Sequence, residues 1–285
     1  MISRRTKEKI FFSLMGLAGI ISVGILIVVI GYIVKLGIDV IDLQFLTSQW
    51  VHRNIAKGGI LPSIYGTLYL GIGIAAFSIP AGMFCAIYLN EYAKSGKLVR
   101  AVRIAIRNLA GVPSIVYGLY GFSVFVIFFG LGKSLIAAWL TLASMTLPWT
   151  ITASEEALKS IPSSFRDASL ALGASKWQTI RKVVLPHAIP GMITGSIIGL
   201  ARALGETAPL LLVGGAFYMT GALPISPFDQ FKALPLDIYF MATQHSSEFA
   251  SSYAAGMAIV LILLIFAISA GMILIRRHYR KKRVW

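Results

Sequence analysis

The sequence predicts an all-helical (all-α) membrane protein with six transmembrane helices. The chain has 285 residues, of which 57% are hydrophobic and only 13% are charged, whereas soluble domains carry roughly 25% charged residues. Six apolar runs are long enough to cross the hydrocarbon core, which takes about 20 helical residues. Runs of this length without alternation indicate helices and not a β-barrel. The runs are 10–34, 60–90, 108–132, 134–154, 189–216 and 249–275.

The basic residues predict the orientation of these spans. The formal net charge is +15. If loops alternate across six spans, the N-terminus, the loops 91–107 and 155–186 and the tail 276–285 share one side. That side holds 20 of the 26 Lys and Arg residues, the other side holds 5, and Arg202 lies within a span. The positive-inside rule then places both termini in the cytoplasm, with the tail at anionic lipids. The net charge therefore reflects orientation and does not indicate a nucleic-acid surface.

The order of the runs divides the chain into three segments. Residues 1–59 form an anchor helix followed by an extracytoplasmic segment, because the first run exceeds a signal-peptide core and no A-x-A cleavage site follows it. Residues 60–275 hold the other five spans, including a long cytoplasmic loop at 155–186. Residues 276–285 are the basic tail. A second long loop, 217–251, is predicted to be extracytoplasmic, where it either packs over the mouth of the spans or receives a partner.

The loop 155–186 predicts two short helices separated by Gly173. Glycine at this place favours the left-handed residue that ends a helix, and Ser175 with Gln178 forms an S-x-x-Q capping box for the next helix. Apolar residues recur on one face of each helix: Phe165, Ala168 and Leu172 on the first, Trp177, Ile180 and Val184 on the second. Because exposed apolar patches usually mark interfaces, this hairpin is predicted to dock a soluble partner. The alternative is a hairpin folded back on its own membrane domain.

Two opposite charges stand inside the fifth apolar run. A charge at the bilayer centre costs roughly 2.5–3.5 kcal/mol on insertion scales. Arg202 and Glu206 are spaced i, i+4, so on one helix they share a face. Beside them Gly191, Gly195 and Gly199 form a small-residue stripe that lets another helix approach closely. Two interpretations stay open. In the first, the two charges form a structural ion pair. In the second, Arg202 is an anion ligand whose planar guanidinium group binds oxyanions through two hydrogen bonds, and Glu206 adjusts the strength of that binding.

Other polar residues are weaker candidates for a substrate path. Thr207 follows the charged pair directly. Ser114 and Tyr117 follow Pro113 and either line a path or form hydrogen bonds between helices. Glu155 and Glu156 are expected to be solvated charges at the cytoplasmic face.

The sequence predicts no catalytic residue and no metal site. No paired acids, activated nucleophile or ligand cluster is recognisable, and the single cysteine, Cys85, excludes an internal disulfide. The triplet Gly132-Lys133-Ser134 lacks the preceding glycine of a phosphate-binding loop. ATP chemistry would therefore need another subunit.

The loop sequence resembles a known motif. Asp167-Ala168-Ser169, three residues, Gly173, nine residues and Val183-Val184-Leu185-Pro186 is similar to the E-A-A-x₃-G-x₉-I-x-L-P loop of ABC-importer permeases. It departs from that pattern with Asp for Glu, Ser for Ala and Val for Ile. In that family the loop forms the coupling helix that sits in a groove of the ATPase subunit. The resemblance implies an ATPase-coupling set: Phe165, Asp167, Ala168, Leu172, Gly173, Leu185 and Pro186.

Two further stretches narrow the resemblance. Residues 110–118 (AGVPSIVYG) and 202–210 (RALGETAPL) resemble phosphate importer permeases, the second stretch those of the PstA type, and the likeness covers about 60–275. It implies the type I ABC importer permease (MetI-like) fold and a multi-pass location in the cytoplasmic (inner) membrane of a bacterium or archaeon.

The same resemblance implies a set of partners. They are a second permease of the PstC type, a PstB-type ATPase dimer that binds ATP and Mg, and an extracytoplasmic PstS-type phosphate-binding protein, with no cofactor in this chain. The competing interpretations are a permease of the same fold for molybdate or sulfate, and a stand-alone channel or secondary carrier. The coupling-type loop argues against the channel or carrier.

Overall fold

The computed structural model of the chain describes residues 4–49, 51, 58–94, 96–216, 223, 226–244 and 248–281. The end of the predicted basic tail, 282–285, lies outside the described residues, as do parts of the segment before residue 60 and of the loop 217–251. The helices are α1 (Arg4–Gly37), α2 (Leu43–Thr47), α3 (Leu61–Ile87), α4 (Lys97–Leu109), α5 (Ser114–Gly121), α6 (Leu135–Lys159), α7 (Ser163–Ala171), α8 (Lys176–Thr179), α9 (Leu185–Leu204), α10 (Ala208–Val213), α11 (Leu234–Gln244) and α12 (Glu248–Lys281). Three π-helical segments continue these helices: Tyr88–Tyr92 after α3, Phe122–Phe128 after α5 and Ile180–Val184 after α8.

The predicted set of spans agrees with these helices. Five stretches of the described chain are long and apolar enough to cross a membrane: Phe11–Val40, Leu61–Tyr92, Leu135–Lys159, Lys176–Leu204 and Phe249–Arg277. A sixth candidate is the pair formed by α4 and α5 with its π-helical segment, which is bent by 105°. The predicted all-helical membrane fold is confirmed.

The third span differs from its prediction. The run 108–132 predicts one straight helix, but α4 ends at Leu109 and α5 begins only at Ser114. Pro113 separates them in an extended conformation, with φ −58° and ψ 140°. Proline has no N–H to donate and clashes with a preceding helical turn. The chain therefore changes direction here, and α4 does not continue the line of the span.

The fifth span also differs from its prediction. The run 189–216 predicts a helix over about 189–214, but α9 ends at Leu204 and a break follows at residues 205–207. The helical stretch begins earlier than expected, at Lys176. Arg202 consequently lies in the last turn of α9, while Glu206 lies beyond its end. The two charges do not share one continuous helix, as their spacing had suggested.

α6 is the central helix of the fold and packs against both α3 and α9. The glycine stripe of α9 faces it: a Cβ added at Gly195 would lie 2.0 Å from the Cβ of Ala153, and one at Gly191 would lie 2.8 Å from the Cβ of Ala157. At Gly199 an added Cβ would make ordinary contacts. Between membrane helices, close packing replaces the hydrophobic effect as the driving force, and small residues permit it.

The described part of the loop 217–251 packs onto the membrane helices. Lys232 and Asp237 are almost fully buried, with the Nζ of Lys232 3.0 Å from the Oδ1 of Asp237. Ser63 of α3 donates a hydrogen bond to the same carboxylate, and the backbone N–H of Leu234 donates to the hydroxyl of Thr67 at 2.9 Å. These polar contacts fix α11 against the beginning of α3.

Candidate functional site

Arg202 and Glu206 meet at the break after α9. The Nε of Arg202 lies 3.6 Å from the Oε1 of Glu206, which is an ion pair too long for a hydrogen bond. The side chain of Arg202 is 52% exposed and that of Glu206 16% exposed. The guanidinium of Arg202 also lies over the ring of Trp149, 5.2 Å from its centroid, which is a cation–π contact. Trp149 is a part of this site that the sequence did not indicate.

The break itself is held by local hydrogen bonds. The N–H groups of Gly205 and Glu206 donate to carbonyls of the last turn of α9, at 3.1 and 3.2 Å. The hydroxyl of Thr207 donates to the carbonyl of Pro235 at 3.4 Å. The candidate path residue Thr207 therefore connects the break to α11.

Arg202 lies against Trp149, a little past half-way along α6, the central helix. Trp149, against which it rests, precedes the end of α6 at Lys159 by ten residues, or roughly 15 Å of helix. The hydrocarbon core is about 30 Å thick. Within the described part of the chain, no hydrogen bond is made by the two terminal guanidinium nitrogens of Arg202. These two nitrogens are therefore available to donate hydrogen bonds to an oxyanion.

Tyr117 and Ser114 occupy different surroundings from the charged pair. The buried Tyr117 donates its hydroxyl proton to the carbonyl of Leu109 at 3.0 Å, which connects α5 to the end of α4. One residue further, a Cβ added at Gly118 would lie 2.9 Å from the Cα of Pro209, so α5 packs closely against α10. Ser114 is the half-buried first residue of α5. The hydrogen bond of Tyr117 favours its structural interpretation.

The loop after α6 forms a compact hairpin, here called the α7–α8 hairpin (residues 163–184). Gly173 has a φ of +81° after α7, the left-handed conformation expected from its position. Ser175 and Gln178 form both hydrogen bonds of a capping box at the start of α8. The hydroxyl groups of Ser169 and Thr179 are 2.9 Å apart and connect the two helices. The hairpin thus has the local structure that its sequence predicts.

The tip of this hairpin presents apolar side chains to the exterior. Leu172 is the most exposed of them, at 89%. The other exposed residues of the hairpin include Asp167, Ala168, Leu170 and Trp177. Among the described residues, nothing lies within 4 Å of a Cβ added at Gly173, so the turn itself is not covered by other described parts of the chain. This surface is available to a partner.

Several members of the predicted apolar stripes face the chain itself. Ile180 and Val184 are buried, which corrects the expectation that they project outward with Trp177. Phe165 is half-buried, with its ring 6.1 Å from that of His187. Leu185 and Pro186 are also half-buried, at the start of α9. The base of the hairpin is therefore packed on the membrane helices, and only its tip resembles a docking surface.

Two ion pairs at the base of the hairpin were not recognised from the sequence. Arg166 of α7 forms a bidentate contact with Glu91, at 2.8 and 3.3 Å. The same guanidinium donates to the carbonyls of Ile161 and Leu158, at 2.8 and 3.0 Å. Arg166 therefore joins the hairpin to the end of α3 and to the end of α6. Glu91 and Arg166 are far apart in the sequence, so their spacing does not predict this ion pair.

Glu155 belongs to the second ion pair and is not the solvated charge that the sequence suggested. It is buried near the end of α6 and accepts a hydrogen bond from the Nε of Arg103 at 3.0 Å. Lys159, one turn later, lies 3.6 Å from its other oxygen. Arg103 also donates to the carbonyl of Leu89 at 2.8 Å. Glu156 is exposed, as expected.

The fold and the protruding hairpin together define the class of protein as a helical membrane component of a binding-protein-dependent importer. Residues 78–283 match the family described as binding-protein-dependent transport system inner membrane component, and the chain belongs to this family.

Relatives of known name support the same assignment. The probable ABC transporter permease protein YqgI of Bacillus subtilis is 31% identical over 281 residues, which cover 94% of this chain and 95% of that protein. The phosphate transport system permease protein PstA 1 of Mycobacterium tuberculosis is 35% identical over 235 residues, 80% of this chain and 76% of that protein. The probable phosphate transport system permease protein PstA of Methanocaldococcus jannaschii is 31% identical over 265 residues, with 93% and 92% coverage.

Solved structures show the same fold at low sequence identity. A chain of a bacterial alginate ABC transporter, in complex with a pentasaccharide-bound periplasmic protein, matches with a TM-score of 0.65 and 15% identity over 94% of both chains. A chain of the inward-facing MetNI methionine ABC transporter matches with a TM-score of 0.64 and 22% identity, over 77% of this chain and 95% of that one. The predicted type I ABC importer permease fold and the resemblance to ABC-importer permeases are both confirmed.

Proposed function

We propose that this chain is the membrane-spanning permease subunit of an ATP-driven phosphate importer in the cytoplasmic (inner) membrane. The observation that carries the proposal is Arg202, a permanent charge that lies against Trp149 of the central helix and has two guanidinium nitrogens available to an oxyanion. The relatives named phosphate transport system permease, which match 80% and 93% of this chain, support phosphate as the anion. The stretch 202–210, which contains Arg202, resembles phosphate importer permeases of the PstA type.

Arg202 is proposed to contact phosphate during its passage. A guanidinium binds phosphate oxygens through two parallel hydrogen bonds, and it stays charged at any physiological pH. Three features weaken that attraction: the carboxylate of Glu206 at 3.6 Å, the face of Trp149, and the negative end of the α9 dipole. Weak binding suits transport, because the substrate must also leave. Glu206 is proposed to hold the guanidinium between passages.

The α7–α8 hairpin is proposed to couple this movement to ATP hydrolysis. Its exposed tip, with Leu172 and Trp177, is suited to insert into a groove of a soluble ATPase. ATP and Mg would be bound by that ATPase, of the PstB type, and this chain would have no catalytic site of its own. A PstC-type permease would complete the path and a PstS-type protein would deliver phosphate. In this arrangement the hairpin and both termini lie in the cytoplasm.

The substrate assignment is tested with the assembled transporter in proteoliposomes. ATP-dependent uptake of radiolabelled phosphate is measured alone and with an excess of sulfate or molybdate. We expect phosphate uptake that neither competitor reduces. Uptake of molybdate or sulfate in place of phosphate would assign the chain to the other oxyanion class. Uptake that continues without the ATPase would identify a carrier or channel.

A further inference from the structure

α4 is an amphipathic helix that lies across the ends of the spans. Its axis makes an angle of 105° with α5, so it runs roughly along the membrane surface when α5 crosses the membrane. Arg103, in its middle, reaches Glu155 near the end of α6 and the carbonyl of Leu89 near the end of α3. These contacts place α4 at the same end of the spans as the α7–α8 hairpin.

One face of α4 is packed on the protein and a second face is apolar but exposed. Val99, Arg103 and Ile106 are the half-buried members, spaced so that they share the inner side of a helix. Leu98 and Val102 are spaced i, i+4 on a neighbouring face, and Leu98 is 78% exposed. Leu109 continues that stripe and is also exposed. No segment among the described residues covers this apolar face.

The third face of α4 is basic, with one exposed isoleucine, Ile104, among its cations. Lys97, Arg100 and Arg107 are exposed and lie on the side opposite the apolar stripe. They line a concavity of about 540 Å³, together with Gly96, Val99 and Arg103. The sequence of α4, KLVRAVRIAIRNL, contains no acidic residue. Two acids of α6 are near α4. Glu155 is already paired with Arg103 and Lys159, and the exposed Glu156 lines a smaller concavity together with Arg107, with no ion pair formed between these two described residues.

We propose that α4 is an interfacial helix that binds the phosphate headgroups of anionic lipids on the hairpin side of the membrane. An amphipathic helix lying in the interface buries its apolar face at the acyl boundary and holds its cations among the headgroups. The three exposed cations and the adjoining aliphatic stripe of α4 match both requirements. A soluble protein would have to provide separate surfaces for the apolar face and for the basic face. The bilayer interface, at the level where the spans end, provides acyl chains for the first and headgroups for the second. This inference does not depend on which anion the protein transports.

The experiment uses the fully assembled transporter in vesicles of equal phosphatidylglycerol and phosphatidylcholine. A photoreactive benzoylphenylalanine replaces Leu98, and mass spectrometry identifies the lipid that is crosslinked to it. We expect phosphatidylglycerol to exceed phosphatidylcholine at least tenfold, since each surface cation contributes roughly fivefold to the binding of anionic lipid. In the triple variant Lys97→Gln, Arg100→Gln, Arg107→Gln this preference should fall to near equality. The charge-preserving control Lys97→Arg, Arg100→Lys, Arg107→Lys should retain it.

The remaining arms of the experiment separate this inference from its rivals. Arg100→Gln alone should reduce the preference several-fold, and it serves if the triple variant does not assemble. Excess inorganic phosphate should leave the lipid crosslink intact, and displacement would point to a site for free phosphate. Equal crosslinking of both lipids in the native chain, or crosslinking to the ATPase in place of lipid, overturns the proposal.

Discussion

At the scale of single residues, Arg202 is stabilised by its position at the end of a helix. The last turn of α9 is the negative end of the helix dipole, and a cation at an exposed site there gains roughly 0.3–1 kcal/mol from it. The face of Trp149 contributes a second attraction. The sequence singles out Arg202 and Glu206 as two charges within an apolar run. It does not predict the break between them or the contribution of Trp149, because both depend on neighbouring helices.

Substitutions of Arg202 distinguish an anion ligand from a structural ion pair. Arg202→Gln should lower phosphate uptake by the assembled transporter roughly tenfold or more, because a charge-assisted contact contributes about 1.5–3 kcal/mol. Arg202→Lys keeps the charge but loses the planar guanidinium group, so uptake should be intermediate. Lys133→Gln, which removes a charge from the turn before α6, is the control and should transport normally. If Arg202→Gln takes up phosphate at the native rate, Arg202 is not an anion ligand and the structural ion pair is the remaining interpretation.

Gly173 gives a prediction that depends on the backbone alone. Its φ of +81° is strained for any β-branched residue, and no side chain among the described residues lies near it. Gly173→Val should therefore distort the hairpin tip and reduce phosphate-stimulated ATP hydrolysis, with insertion in the membrane unchanged. Gly173→Asn is the matched control, because asparagine tolerates the left-handed region. Normal stimulated hydrolysis in Gly173→Val would argue against docking through this tip.

At the scale of elements, the α7–α8 hairpin shows which features local sequence determines. The turn at Gly173 and the capping box of Ser175 and Gln178 depend on residues within a few positions of each other, so they could be predicted. The burial of Val184 could not, because the side chains that cover it come from α3, α6 and α9. The spacing of residues in the sequence indicates which of them share a helix face. Only the tertiary packing determines what that face contacts.

The ion pair of Glu91 with Arg166 is predicted to fix the hairpin to α3. Arg166→Ala leaves a mostly buried carboxylate without its partner, and breaking such a pair costs about 3–5 kcal/mol. Thermal unfolding of the purified protein should show a clear loss for Arg166→Ala and for Glu91→Gln. The double variant should lose less than the sum, because the two changes remove one shared interaction. Additive losses would show that the two residues act independently. Arg181→Ala, at an exposed arginine of the same hairpin, is the control.

At the scale of the whole molecule, hydrophobic runs predict how many spans there are but not where they bend. Residues 110–113 lie inside the apolar run 108–132 and residues 205–207 inside the run 189–216, so the bounds of the runs do not mark either break. Within the second stretch only Glu206 departs from the apolar pattern with a charge. Pro113 and Pro209 were the available signals, and proline is tolerated inside membrane helices too. The bends depend instead on what each short helix contacts. α5 packs against α10, and Thr207 donates a hydrogen bond to Pro235 in the first turn of α11.

The orientation of the whole chain follows from its basic residues and can be measured. A Cys85→Ser background with Leu172→Cys places one thiol at the hairpin tip. A second variant with Lys133→Cys places it in the turn before α6. A membrane-impermeant maleimide should label the Lys133 position in intact cells, and the Leu172 position only after permeabilisation, since the positive-inside rule puts the hairpin in the cytoplasm. The reverse labelling pattern would show that the hairpin lies outside the cytoplasm and that the predicted orientation is wrong.

The break after α9 has a mechanical consequence. The helical stretch Lys176–Leu204 runs without interruption from α8 of the hairpin to Arg202, so a tilt applied at the hairpin is carried along a stiff lever of roughly 40 Å. The segment beyond the break is fastened elsewhere, by Gly118 against Pro209 and by Thr207 to Pro235. If the hairpin tilts, residues 205 and 206, between Leu204 and the fastened Thr207, are where the change of direction would be taken up. A small displacement of the α7–α8 hairpin would then change the distance between Arg202 and Glu206.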